Sequence, residues 1–122
     1  MILSCLTFNL LPGSFDALEA AFRRHGILER AIQVEGCRAL YLTADVGHDD
    51  LAHVVGVWDS PAAYQRWINH PQRGVGAADL HALMDATWDP SAPGDVWNVL
   101  HAAERTLDVP QPSGLMQEET RQ

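Results

Sequence analysis

The residues in this chain that could do chemistry are few and widely spaced. Trp67 and Tyr64 stand three apart in the run SPAAYQRW (60–67), the spacing of neighbours on one helix face. An indole placed there offers a broad apolar face and a single N–H donor. It could stack on a flat aromatic molecule and hold one of its oxygens, or it could simply pack the core. Asn9 lies near the end of an otherwise apolar run, LTFNLL (6–11), where a side-chain amide needs a partner, either substrate or backbone. His53 interrupts a strand-like stretch with Leu51, Val55 and Val57. A histidine titrating near neutrality could take a phenolic proton there, or it could be a hydrogen-bonded residue of the core or of an interface. Trp67, Asn9 and His53 are therefore the catalytic candidates. Phe22, Tyr64, His70 and His81 lie on or beside the apolar faces of the helical segments and are candidates for binding substrate.

Other chemistries find little support. All eight basic residues are arginine, so a Schiff-base lysine is excluded. Neither a glycine-rich phosphate loop nor a G-x-S-x-G turn is present. His48, Asp49, Asp50 and His53 match no strong metal-ligand spacing, so no metal is expected. His101 and Asn98 fall in the last strand pattern, on opposite faces.

These residues need a scaffold, and the apolar periodicity supplies one. Residues 2–11 alternate like a strand but are apolar on both faces, so both faces need a cover. Pro12-Gly13 turns the chain. Ser14 is placed to cap a helix over 15–32, with Asp16 in its first turn and Gly26 as a break. Residues 37–45 and 51–58 read as an antiparallel hairpin about the turn GHDD (47–50). Ser60 followed by Pro61 starts a second helix, which His70-Pro71 closes. A further amphipathic piece covers 75–86, and 95–102 form a fourth strand. The order βαββαβ predicts an α+β, ferredoxin-like unit with a four-stranded antiparallel sheet. Residues 1–103 form this domain, and 104–122 read as a polar, proline-bearing tail that is mobile or wraps a partner.

Composition bounds the rest. One domain is expected of 122 residues, and 47% hydrophobic residues suffice for a core. A formal charge of −8 argues against nucleic acid and anionic membranes as partners. Two cysteines, Cys5 and Cys37, without a secretory leader read as free buried thiols in a cytoplasmic protein. No apolar run is long enough to span a bilayer.

The segments PGSFDALEAAF (12–22), VEGCRALYL (34–42) and VVGVWDSPAAYQRW (54–67) together resemble the antibiotic biosynthesis monooxygenase (ABM) family, over roughly 2–102. The resemblance implies a dimeric α+β barrel in which two sheets pack face to face and each protomer keeps a pocket between its sheet and helices. It implies a monooxygenase that oxidises an aromatic polyketide-like phenol or anthrone with O2 as co-substrate and no cofactor, leaving a quinone. It places an asparagine such as Asn9 beside a substrate oxygen or peroxy intermediate. A heme-degrading branch carries a histidine downstream of the helix tryptophan. Position 77, at about that distance, is Ala77, with His70 too early and His81 too late. The same fold would also serve a cyclase or isomerase acting on a similar substrate, or a heme- or ligand-binding barrel.

Overall fold

The structure is a computed structural model and describes residues 1–86, 88, 89 and 92–105. The elements follow in the order β1 (Ile2–Asn9), α1 (Phe15–His25), α2 (Ile27–Ala31), β2 (Cys37–Ala44), β3 (Leu51–Trp58), α3 (Pro61–Ile68), α4 (Ala77–His81) and β4 (Asp95–Asn98). The strands make one antiparallel sheet in the order β2-β3-β1-β4. This is the expected α+β, ferredoxin-like arrangement, a split βαβ unit repeated, with the helices packed on the sheet.

Alternation along the strands divides the sheet into two faces. Ile2, Ser4, Leu6 and Phe8 of β1 pair with Trp58, Gly56, Val54 and Ala52 of β3 and turn toward the helices. Leu3, Cys5, Thr7 and Asn9 pair with Val57, Val55, His53 and Leu51 on the outer face. Tyr41 and Trp97 also belong to that face and stand more than half exposed.

The helix-side core forms two clusters. One gathers Phe8, Leu10, Leu18, Phe22, Leu80 and Met84, with the rings of Phe8 and Phe22 meeting edge to face at 5.9 Å. The other gathers Ile2, Ala31, Trp58, Ala63, Tyr64 and Trp67.

Local signals explain the helix boundaries. Gly26 takes a left-handed conformation, φ 57°, and separates α1 from α2 where a break was expected. Ser60 caps α3, its hydroxyl accepting the Ala63 N–H at 3.2 Å, with Pro61 in the first turn. Ser14 lies before α1, but its side chain makes no capping bond. Its carbonyl accepts the Leu18 N–H instead, at 2.9 Å.

Three elements are shorter than the periodicity predicts. β1 stops at Asn9 because the next amides bond elsewhere: Leu10 N–H to the Asp50 carbonyl and Leu11 N–H to that of Leu83, each at 2.8 Å. β4 pairs only from Asp95 to Asn98 because Asn98 lies opposite Ile2. The Val99 N–H takes the Met1 carbonyl at 3.1 Å, and β1 offers nothing further. His101 therefore lies beyond the strand and is exposed. The 75–86 helix shrinks to Ala77–His81, preceded by turns from 71 onward. The tail expected over 104–122 lies outside the described residues from position 106. Among the described residues, no helix is long and apolar enough to cross a membrane.

Charged side chains tie α1 and α2 to α4 and the turns before it. His25 Nε2 lies 2.7 Å and Arg24 3.0 Å from the Asp79 carboxylate. Those two bonds, that from His25 first, hold the Asp79 carboxyl below its ordinary value. A depressed folded-state value means the tie stabilises the fold above the ordinary carboxylate range. It is lost as acid protonates Asp79. Asp79→Asn is expected to lower Tm at neutral pH and to match the parent in strong acid. Thermal melts across pH check this, and a pH-independent difference would count against the tie.

Candidate active site

A cavity of about 80 Å³ lies between sheet and helices, lined by members of both core clusters. The sheet contributes Ser4, Leu6, Phe8 and Trp58 to its lining, and the helices contribute Phe22, Tyr64 and Trp67. Arg73, Gly74, Val75 and Ala77 close another side. Ligand pockets usually measure roughly 300–1,000 Å³, so a multi-ring ligand must displace part of this wall.

The run 72–75 is the part of the wall that lies outside helices and strands. Arg30 of α2 holds it, donating to the carbonyls of Gln72 and, at 3.2 Å, Val75, while its Nε donates to the His25 carbonyl at 3.1 Å. Arg30→Gln is expected to cost about 1–2 kcal/mol of stability and to speed ligand association severalfold. Stopped-flow binding of an apolar fluorescent dye measures the rate. An unchanged rate would show that the wall opens elsewhere.

The cavity's polar groups are unusual in kind. Trp67 is 9% exposed, and its indole N–H has no acceptor among the described residues. Ser4 is the buried polar residue of the sheet's inner face, and its oxygen accepts the Trp58 indole N–H at 2.9 Å. Gly56 makes that bond possible: a Cβ there would lie 2.5 Å from Trp58 Nε1 and 2.7 Å from Ser4 Oγ. The Tyr64 hydroxyl accepts the Gly94 N–H at 2.9 Å. Arg73 brings a positive charge to the lining and donates to the Ala92 carbonyl at 3.0 Å. Among the described lining residues there is no carboxylate and no imidazole.

The seven candidates drawn from the sequence divide into three groups. Trp67, Tyr64 and Phe22 are buried together on the cavity. His70 and His81 stand just outside it, exposed, with His70 against the Trp67 ring at 5.6 Å and His81 edge-on to Trp88 at 5.8 Å. Asn9 and His53 are on the opposite face of the sheet, because odd positions of β1 and β3 point away from the helices. Asn9 is exposed there. His53 Nδ1 lies 3.1 Å from Thr7 Oγ1 and 3.7 Å from Cys5 Sγ. Trp67 on the one hand, and Asn9 and His53 on the other, thus lie on opposite sides of the sheet. Cys37, packed against the Trp58 cluster, has its thiol pushed up to about 11 by burial.

Sequence reasoning passed over Ser4, Trp58 and Gly56. Part of the signal was present: Ser4 shares its parity with Ile2, Leu6 and Phe8 and so lies on one sheet face with them. Gly56 shares its parity with Trp58, marking a close approach.

A split βαβ sheet with an apolar cavity closed by its helices defines a ferredoxin-like α+β protein. The sequence profile of the antibiotic biosynthesis monooxygenase family matches residues 1–78, the greater part of the chain, and the chain belongs to that family. No curated protein sequence matches it significantly. Solved structures share the fold. SnoaB, a cofactor-independent oxygenase from Streptomyces nogalater, superposes with a TM-score of 0.64 at 16% identity, covering 83% of this chain and 94% of its own. A candidate antibiotic biosynthesis monooxygenase from Deinococcus radiodurans gives 0.65 at 16% identity, with 87% and 99% covered. A conserved protein from Methanosarcina mazei Go1 gives 0.60 at 10% identity, with 78% and 86% covered.

Proposed function

We propose that this chain is a cofactor-independent monooxygenase for a flat, electron-rich phenol or anthrone, bound in the cavity between sheet and helices. One observation carries the reading: a nine-tenths buried tryptophan lines an apolar cavity with its N–H unclaimed by any described residue. A buried donor without an acceptor is costly, and a ligand oxygen would relieve that cost. The apolar walls suit aromatic rings. Membership of the ABM family and the fold shared with SnoaB favour oxygenase chemistry.

The reaction balances without a further reagent. An anthrone loses one methylene proton to give a delocalised anion. The anion passes an electron to O2, and the radical pair recombines to a C–O bond. Protonation gives a hydroperoxide, which loses water to leave a carbonyl. One oxygen atom is kept and the other leaves as water. The chain's part is to exclude solvent, hold the ring plane and stabilise the anion's oxygens with Trp67 and its neighbours. A heme held through its iron would need a protein ligand, and no histidine or cysteine is among the described lining residues.

The working unit in this reading is a homodimer. The outer sheet face carries Leu3, Tyr41, Val55, Val57 and Trp97, an apolar surface that a second sheet would cover. Oxygen-electrode assays with a panel of anthrones and naphthols test the activity. Uptake that depends on the protein and falls in Trp67→Phe is expected; no uptake with any of them would overturn the reading.

A further inference from the structure

A groove between α1 and β2 forms a second space on the helix side of the sheet. It measures about 600 Å³, within the usual range of ligand pockets. Phe15, Leu18 and Phe22 recur at i, i+3 and i+7 along α1 and make one apolar wall. Leu40 and Leu42 of β2, with Ala52 of β3, make the other. Leu40 and Leu42 pair with Gly56 and Val54, the parity that faces the helices, so a second copy covering the outer sheet face leaves the groove open. Phe22, Leu28 and Leu40 line both the groove and the cavity and are the partition between them.

The rim of the groove carries charge mostly of one sign. Asp16, Glu19 and Glu29 are exposed along it, against a single cation among the lining residues, Arg23. That cation is already taken: it donates to the Glu19 carboxylate from Nε at 2.9 Å and from a terminal nitrogen at 2.7 Å. Asp16 and Glu29 have no ion-pair partner among the described residues. The rim thus reads as one neutral pair and two unpaired carboxylates. A molecule whose apolar body fills the floor meets those two charges at the edge. A positive group on it is attracted there and a negative one repelled.

We infer that the groove between α1 and β2 is a second ligand site, for a small organic cation. An aromatic or alkyl body lies on the floor between Leu18 and Leu42, and an ammonium group stands at the rim with Asp16 and Glu29. Apolar area supplies the hold, and the carboxylates supply the choice of charge. The site is independent of what the cavity binds, because the partition of Phe22, Leu28 and Leu40 stands between them.

The test is titration calorimetry at low salt with three probes that share one body: 4-phenylbutylammonium, 4-phenylbutanol and 4-phenylbutyrate. The ammonium is expected to bind about three- to tenfold more tightly than the alcohol, and the carboxylate more weakly than either. The differences should shrink as salt is raised. In the double variant Asp16→Asn, Glu29→Gln the rim is neutral, so the ammonium should fall to the affinity of the alcohol. Binding of the alcohol should be unchanged, which also shows that the variant folds. Arg23→Gln, at a side chain 77% exposed, frees Glu19 and should strengthen the ammonium about two- to fivefold. Asp95→Asn makes an equal change of net charge on β4, the opposite edge strand, and should leave all three affinities as they are. In NMR spectra the amides of Leu18 and Leu42 should shift with the probe while the Trp67 indole stays in place. Equal affinities for the three probes would overturn the inference, as would no binding of the ammonium. A loss in Asp95→Asn matching that of the double variant would overturn it too, and so would shifts centred on Trp67.

Discussion

Trp67→Phe will weaken binding of an anionic aromatic ligand by roughly 10- to 150-fold, the worth of one hydrogen bond to a charged group, about 1.5–3 kcal/mol. The phenyl ring keeps most of the packing against Trp58, Tyr64 and Ala63, and so keeps most of the stability. What it removes is the N–H that no described residue accepts. In the protein without ligand that deletion relieves a buried unpaired donor, so Tm should change little. With ligand bound it removes a contact, so affinity and turnover should fall. Titration calorimetry beside a thermal melt separates the two effects. A variant that binds as tightly as the parent would return Trp67 to a packing role. Trp67→Ala is the blunter change and should cost about 3–5 kcal/mol of folding stability, because it empties a core position.

Gly56→Ala should be the most damaging single methyl group in the sheet. No positive φ is involved; the obstacle is space. The added carbon would sit 2.5 Å from Trp58 Nε1, 3.1 Å from Trp58 Cε2 and 2.7 Å from Ser4 Oγ. Trp58 is 1% exposed, sits in the second core cluster and has no room to retreat. Overpacking and an orphaned indole N–H together are expected to cost roughly 2–5 kcal/mol. Denaturant unfolding measures the loss. The Ser4 hydroxyl would also lose the partner that orients it, so binding of an anionic ligand should weaken even at temperatures where the variant is folded. Wild-type stability in Gly56→Ala would mean that the Ser4–Trp58 contact is loose.

The two changes rank the cavity's parts differently. Trp67 is placed by a helix whose start is written locally, in Ser60 and Pro61, and its substitution is expected to be felt mainly by the ligand. Ser4 and Trp58 are placed by cross-strand register, Ser4 opposite Gly56 and Trp58 opposite Ile2, and disturbing them is felt by the fold as well.

Much of the architecture was legible in the chain. Period-two apolar runs marked β1, β2 and β3, Gly26 marked the break between α1 and α2, and the βαββαβ order implied the antiparallel sheet. The ends were less legible because they depend on partners. β4 stops where β1 has no more residues to pair, and α4 is cut short by turns that Arg30 and Gly76 shape from outside the element. The helix-side candidates could be read from a stripe, since i and i+3 share a face whatever the tertiary arrangement.

The sequence by itself determined the strand and helix order, the absence of lysine chemistry and the membership of Tyr64 and Trp67 in one apolar face. It could not assign Asn9 and His53 to a side of the sheet. Alternation makes two faces equivalent until something covers one of them, and here both faces are apolar enough to be covered. Tertiary structure decided that. Once the helices lay over Ile2, Ser4, Leu6 and Phe8, the odd positions had to face away, and the histidine and the asparagine went with them. The same event turned Ser4 inward against Trp58 and left no carboxylate or imidazole among the described residues that line the cavity. Which residues share an element is a local property of the chain. Which polar groups share a pocket follows only from how the elements close on one another.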